Sequence, residues 1–334
     1  MQDVADLAGV SRMTVSYALK NDPRTKTATR QRVMDAAKTL NYQVNPLISA
    51  LMSQRRNGAA VSEGLGILAV LVNRKLQDST AEDKFMPGAR ERAFERGYRL
   101  EYFYLDPQGG DARKISRILY ARGIQGVLIP RLGRSMVLDI HWPHFSVVAH
   151  GHTLVEPEFH RVVADLYRGA LLAVEQLTAA GFRRIGLAIP ALASSQTQDQ
   201  WLAAMYVRQH AMKVRQRVRP LLLHWEDWQK TLIQWCRKEK PDVILHSHVQ
   251  AEPVLKDAGI RVPQDMALAH LDQSMFTQEY GPGMAGIDQR WSAVSAAAID
   301  VLVARIHAND RGIPEIPRTI QIEGRWVPGS SLGL

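Results

Sequence analysis

Ser11, Arg12, Met13, Thr14, Ser16 and Tyr17 stand close together in "SRMTVSY" and could act as one chemical surface. On a helix, Val15, Ala18 and Leu19 form an apolar stripe. Arg12, Met13, Ser16 and Tyr17 then recur on a different face. Arginine forks onto the O6 and N7 atoms of guanine. Met and Tyr can touch a thymine methyl or a sugar, and Ser can bond a base edge or a phosphate. An ordinary solvated face would carry Glu and Lys instead. A second group, "HWPHFSVVAHGH", is rich in histidine. His150 and His152 flank Gly151 just after an apolar run, where imidazoles could hold a metal. No Cys or paired carboxylate stands near them at ligand spacing, so no metal is expected, and a hydroxyl-bearing ligand is the better match for His150. The chain has no nucleotide-type glycine loop, no nucleophile elbow and no Ser/His/Asp or Cys/His arrangement. Neither catalysis nor a cofactor is expected.

The elements that must hold these residues follow from pattern and breakers. A helix from about Gln2 to Leu7, a turn at Gly9, and a second helix from Arg12 to Lys20 with Ser11 as its N-cap make a helix-turn-helix. "NDPRTKT" breaks the pattern. A third helix runs from about Ala28 to Leu40, with Val33, Ala36, Ala37 and Leu40 facing inward. "LISALMSQRR" can form one more short helix before the linker "NGAAVSEG". From Leu65 the pattern alternates between apolar runs and amphipathic stretches. The runs are "GILAVLV", "YRLEYFYL", "GVLIP", "FSVVAHG", "RIGLAIP", "VRPLLLH", "DVILHS" and "MALAHLD". Helices are predicted at 86–97, 111–122, 168–180, 199–211, 227–239, 250–258 and 291–308. Such alternation means parallel sheets covered by helices, here enough for two α/β subdomains. Ligands of such folds bind beyond the carboxyl ends of the strands. Arg131, after "GVLIP", and His246 and His248, after "DVIL", end strands in that position.

Length and charge agree with this division. The chain has 334 residues and a formal net charge of +9. Residues 1–57 carry nine Lys/Arg against four Asp, so most of the excess lies in the first sixth of the chain, and a polyanionic partner is expected. A single cysteine, Cys236, permits no intrachain disulfide and agrees with a reducing compartment. No apolar run approaches the length of a membrane span, and the N-terminus lacks a signal-peptide pattern. The expected location is the cytoplasm, with no membrane partner.

The run from "DVADLAGVSRMTVSYALKND" through "TR" at Thr29-Arg30, "LNY" at Leu40–Tyr42 and "NPL" at Asn45–Leu47 resembles the N-terminal segment of the lactose-repressor (LacI) family of bacterial transcription regulators. The resemblance implies a pseudo-palindromic duplex DNA operator read by a homodimer. Ser11, Arg12, Met13, Thr14, Ser16, Tyr17, Asn21 and Arg30 would serve the helix-turn-helix contact. Asn45, Ile48 and Leu51 would serve a hinge helix, with Leu51 as a minor-groove wedge. Ile48 replaces the family's small hinge residue, Val44 its proline, and Tyr17 a position often held by arginine. The implied domains are 1–44 for DNA binding, 45–64 for hinge and linker, and 65–334 for the effector. The remainder is similar, more patchily, to the family's periplasmic-binding-protein-like domain. Its N-subdomain would span 65–161 plus 289–318, and its C-subdomain 162–288 plus 319–334.

In that comparison Asp272 and Asp165 match positions that often contact ligand. Each also has a structural reading, Asp272 as a helix cap and Asp165 as a brace of the crossover. Trp201 falls where the family usually has a sugar-anchoring arginine, and an indole there could stack on a pyranose. The implied function is a DNA-binding regulator, in the sense of a repressor, controlled by a saccharide in the cleft. The alternative is a cytoplasmic ligand-binding α/β protein or enzyme with an appended DNA-binding module.

Overall fold

The computed structural model describes residues 2–19, 25–40, 65–73, 86–106, 110–130, 136–247, 251–273 and 283–333. The chain divides into two compact units, Met1–Gly64 and Leu65–Leu334.

The first unit contains α1 (Gln2–Ala8), α2 (Arg12–Leu19) and α3 (Thr27–Thr39). Its small core consists of Val4, Ala5, Ala8, Val15, Ala18, Val33, Ala36 and Ala37. Alanines dominate that core because three short helices must approach closely around little apolar volume. Gly9 turns the chain between α1 and α2 at φ +63°, a left-handed conformation that glycine adopts without penalty. Leu40 departs from expectation. It lies in the turn after α3 and is 43% exposed, because the helix ends at Thr39 and no longer aims the side chain inward. The segment expected to form a hinge helix lies outside the described residues.

The second unit runs β1 (Gly66–Asn73), α4 (Pro87–Glu95), β2 (Tyr98–Leu105), α5 (Ala112–Ala121), β3 (Gly126–Ile129), β4 (Met136–Val137), β5 (Ser146–His150), β6 (Leu154–Glu156) and β7 (Arg161–Ala164). It continues with α6 (Leu166–Ala179), β8 (Ile185–Pro190), α7 (Ala191–Gln196), α8 (Gln200–Ala211), β9 (Leu221–Leu223), α9 (Trp228–Glu239), β10 (Val243–His246), α10 (Ala251–Asp257) and β11 (Ala267–His270). Last come β12 (Ala285–Asp288), α11 (Trp291–His307), β13 (Thr319–Ile322) and β14 (Arg325–Val327).

The expected pair of parallel sheets is present. One has the order β13-β7-β5-β3-β1-β2 with every pairing parallel; the other has β14-β12-β11-β10-β8-β9, antiparallel only at β12–β14. Central strands are almost wholly apolar because helices cover both faces: every residue of β3, β5, β10 and β11 is buried. Edge strand β2 is mostly half-buried.

Two crossings between the sheets fall later than expected. Arg161–Ala164 and Thr319–Ile322 pair with each other in the first sheet, so the subdomain limits at 161/162 and 318/319 shift past 164 and 322. The run "RVVA" reads equally well as a connection or a strand, and only its pairing with β5 and β13 decides. The third crossing lies between Asp288 and Trp291, so α11 begins where the chain returns from the second sheet to the first.

Candidate functional sites: an exposed helix face and a cleft

In the first unit, α2 separates its two chemistries by face. Val15 and Ala18 are buried, whereas Arg12 is exposed, Met13 is 65% exposed and Tyr17 is half-buried. Ser11 caps the helix as its spacing predicts. Its Oγ accepts a hydrogen bond from the Thr14 backbone N–H at 3.1 Å and lies 2.9 Å from Thr14 Oγ1. The cap engages Ser11 and Thr14 with each other at the mouth of the helix, while Arg12 and Met13 stand exposed beside it. Arg30, on α3, donates from Nη2 to the Thr25 carbonyl at 3.3 Å and so ties α3 to the segment before it. Ser16 lies on α2, with its side chain outside the description. Asn21, Asn45, Ile48 and Leu51 lie outside the described residues.

The second unit contains a cavity of about 80 Å³ between its two sheets. His150, Gly151, His152 and Thr153 line it from the end of β5, and Val163, Ala164 and Leu166 from the β7–α6 crossing. Ala193, Gln196, Thr197 and Trp201 come from α7 and α8, Asp272 from beyond β11, and Trp291 from the start of α11. This is the carboxyl edge of the strands, where the sequence places a ligand. Gly151, at φ +94°, lets the chain turn sharply past His150.

The polar groups of the cavity fall into two sets. Asp272 is 8% exposed; its Oδ2 accepts from Trp291 Nε1 at 2.8 Å, and its backbone N–H donates to His270 Nδ1 at 2.9 Å. The carboxylate is thus fixed in place by an indole that also forms the wall. The other set has no partner among the described residues: both ring nitrogens of His150, Nε2 of His152 and Nε1 of Trp201. Buried polar atoms are normally satisfied, and these four nitrogens are groups that a polar guest would satisfy. Burial pushes His150 and His152 down to about 4, which keeps both imidazoles neutral at pH 7. The described lining contains no Lys or Arg, and Asp272 is its one formal charge.

Of the expected ligand contacts, the cavity brings together Trp201, Asp272 and His150. Asp165 is not among its lining residues. Its Oδ1 caps α6 by accepting from the Arg168 N–H at 2.9 Å, and its own N–H donates to the Ile322 carbonyl at 2.9 Å, so it braces the crossover. His246 ends β10 beside His270, ring to ring at 4.8 Å, and is buried one layer away from the lining. Arg131 and His248 lie outside the described residues. Sequence reasoning missed Trp291, Thr153, Gln196 and Thr197, and weighed His152 only as a metal ligand. For Trp291 a signal existed: it follows the strand "AGID" after two residues and opens a long helix, a position that must face a strand end. Among the described residues no three His, Cys, Asp or Glu side chains gather as a metal site. Cys236 is buried, which pushes its thiol up to about 12 and leaves it protonated and inert.

A pH dependence follows from His150. Its folded value near 4 lies below the unfolded value of 6.5, so the unfolded chain binds more protons between those limits. The stabilising effect of keeping it neutral is complete above pH 6.5 and is lost as pH falls towards 4, by up to about 3 kcal/mol. Urea melts from pH 7 to 4.5 should show this loss, and His150→Leu should flatten the profile.

The comparisons with known proteins match both units. Residues 1–45 match the model described as "Bacterial regulatory proteins, lacI family", and residues 174–332 match "Periplasmic binding protein-like domain". The sucrose operon repressor of Escherichia coli is 27% identical, over 81% of this chain and 83% of that protein. The HTH-type transcriptional repressor PurR of Actinobacillus pleuropneumoniae is 22% identical, over 98% of this chain and 96% of that one. Among solved structures, the transcriptional regulator CelR–cellobiose complex matches with TM-score 0.59 and 21% identity, covering 99% of this chain and 98% of that one. The lac repressor dimer bound to operator and the anti-inducer ONPF matches with TM-score 0.59 and 17% identity, at the same coverage. Those two structures share the fold. The chain thus joins a helix-turn-helix domain of the lacI type, over residues 1–45, to a periplasmic-binding-protein-like domain that carries the two sheets and the cleft.

Proposed function

We propose that this protein is a cytoplasmic transcriptional repressor that grips operator DNA through α2 and changes that grip when a neutral saccharide fills the cavity. It acts as a homodimer on a pseudo-palindromic site, and it is not an enzyme. The observation that carries the DNA half is the division of α2 into a buried Val15/Ala18 stripe and a projecting Arg12/Met13 face. The ligand half rests on the lining. Two indoles, Trp201 and Trp291, offer flat apolar surface for the ring of a sugar. Asp272 accepts from hydroxyl groups, and the neutral imidazoles of His150 and His152 can both donate and accept. An anionic ligand would meet the Asp272 carboxylate with no described cation beside it, which favours an uncharged sugar over its phosphate. The sucrose and ribose operon repressors among the relatives agree with a sugar, while the PurR relatives keep a purine as the second reading.

The test of the DNA half is Arg12→Ala. Loss of a bidentate guanine contact should weaken binding to the selected operator by about 1–3 kcal/mol and relax preference at one position. Affinities for the operator and for random DNA, measured by fluorescence anisotropy, give the answer. An equal drop on both would reduce Arg12 to a phosphate contact.

A further inference from the structure

The second unit carries a dense basic surface that the proposed function does not use. Between residues 200 and 225 the chain has Arg208, Lys213, Arg215, Arg217 and Arg219 and no acidic residue. Arg237, Lys238 and Lys240 follow at the end of α9. The fold gathers these segments at one place, the amino edge of the second sheet, where β9, β8 and β10 begin side by side. Arg184 ties them together. Its Nε donates to the Lys240 carbonyl at 3.1 Å, and its Nη atoms donate to the carbonyls of Arg215 and Glu239. Three acids stand among these cations: Glu175 pairs with Arg208, Glu239 lies between Lys238 and Lys240, and Asp242 Oδ2 accepts the backbone N–H groups of Arg183 and Arg184 at 3.0 and 2.8 Å.

Part of this charge has a structural purpose. Arg208, Arg237 and Lys238 lie in the last turns of α8 and α9, where cations answer the helix dipole. Arg217 bonds the carbonyls of Met212 and His210. That leaves Lys213, Arg215, Arg219 and Lys240, all exposed and all off the α-helices, the first three within one short stretch of chain. The surface lies at the opposite end of the strands from the cavity, about 20 Å away across the six residues of β8.

We propose that this surface is a second, sequence-independent contact for duplex DNA, so that one protein can hold two DNA segments at once. The composition favours a nucleic acid over an acidic protein. Protein interfaces are anchored by desolvated aromatic and apolar side chains, whereas phosphate backbones are held by long exposed Lys and Arg side chains. Because the residues are separate from α2, this contact can fail while DNA binding by the first unit stands.

The test uses the full chain and random-sequence duplexes of two kinds, one carrying a donor dye and one an acceptor, at 50 mM salt. Protein that bridges them brings the dyes into energy transfer. We expect bridging in the wild type and at least a tenfold loss in K213E/R215E/R219E, with binding of a single duplex retained. The salt slope of bridging should fall by about 3, because three phosphates are no longer neutralised. K213Q/R215Q/R219Q, which removes charge without adding repulsion, guards against misfolding and should lose bridging to a smaller extent. Absence of bridging in the wild type, or equal bridging in both triple variants and the wild type, would overturn the proposal. So would displacement of the bridged duplex by poly-glutamate as readily as by unlabelled DNA, which would make the partner an acidic protein.

Discussion

Raising salt from 50 to 200 mM will weaken DNA binding by about 10³-fold or more, with a slope of log K against log[salt] of roughly −5 to −10. The reason is where the charge lies. Residues 1–57 hold nine Lys/Arg against four Asp, and two such segments would act together in the proposed homodimer. Each phosphate neutralised releases about 0.9 counterion, so three to five contacts per half-site give the expected range. The exposed guanidinium of Arg12 is the one part of α2 able to add both a phosphate-binding charge and a base-edge fork. Anisotropy titrations at four salt concentrations suffice. A slope near zero would mean that the positive segment does not face a polyanion.

The second large effect belongs to the cavity. Asp272→Asn should weaken saccharide binding by about 1–3 kcal/mol, because the amide can replace one acceptor but turns an N–H₂ towards groups the carboxylate accepted from. The same change weakens the bond from Trp291 Nε1 at 2.8 Å, so the indole wall loses its anchor as well. Trp201 needs a gentler change. At 7% exposure it belongs to the main core cluster of the second unit, and Trp201→Ala would cost about 3–5 kcal/mol of stability through the void it leaves. Trp201→Phe keeps most of that volume and removes the unpartnered Nε1, so it should weaken the ligand response while the fold survives. Isothermal titration of both variants with the sugar that best raises the melting temperature of the wild type decides. Wild-type affinity in both would remove these residues from the ligand's surroundings.

The alternation of apolar runs with amphipathic helices was enough to read two parallel sheets, because a strand buried on both faces carries apolar residues at successive positions, as "GVLI" in β3 does. The helix-turn-helix was legible for a different reason. Ser11, Gly9 and the Val15/Ala18 stripe each have a local meaning that needs no distant partner. The cavity was legible only in part. Trp201, Asp272 and His150 could be picked out as strand-end or departing residues, but which of several such residues converge depends on register between distant strands. His246 and His270 illustrate the limit, since their pairing across β10 and β11 turns two strand-end histidines into a buried layer. Asp165 carried two readings, ligand contact and brace of the crossover, and the local pattern could not choose between them; its side chain caps α6. Short strands such as β7 and β13 are missed for the same reason, because four residues carry no period of their own.

The central claim joins the two units: a ligand in the cavity alters the hold of α2 on DNA. The most direct measurement is anisotropy of the full chain on DNA selected from random sequence, with and without the sugar that stabilises it. The account predicts preference for a pseudo-palindromic site over random DNA, and a change in that site's affinity of at least about fivefold on ligand saturation. Equal affinity for selected and random DNA, unmoved by a ligand that demonstrably fills the cavity, would contradict it.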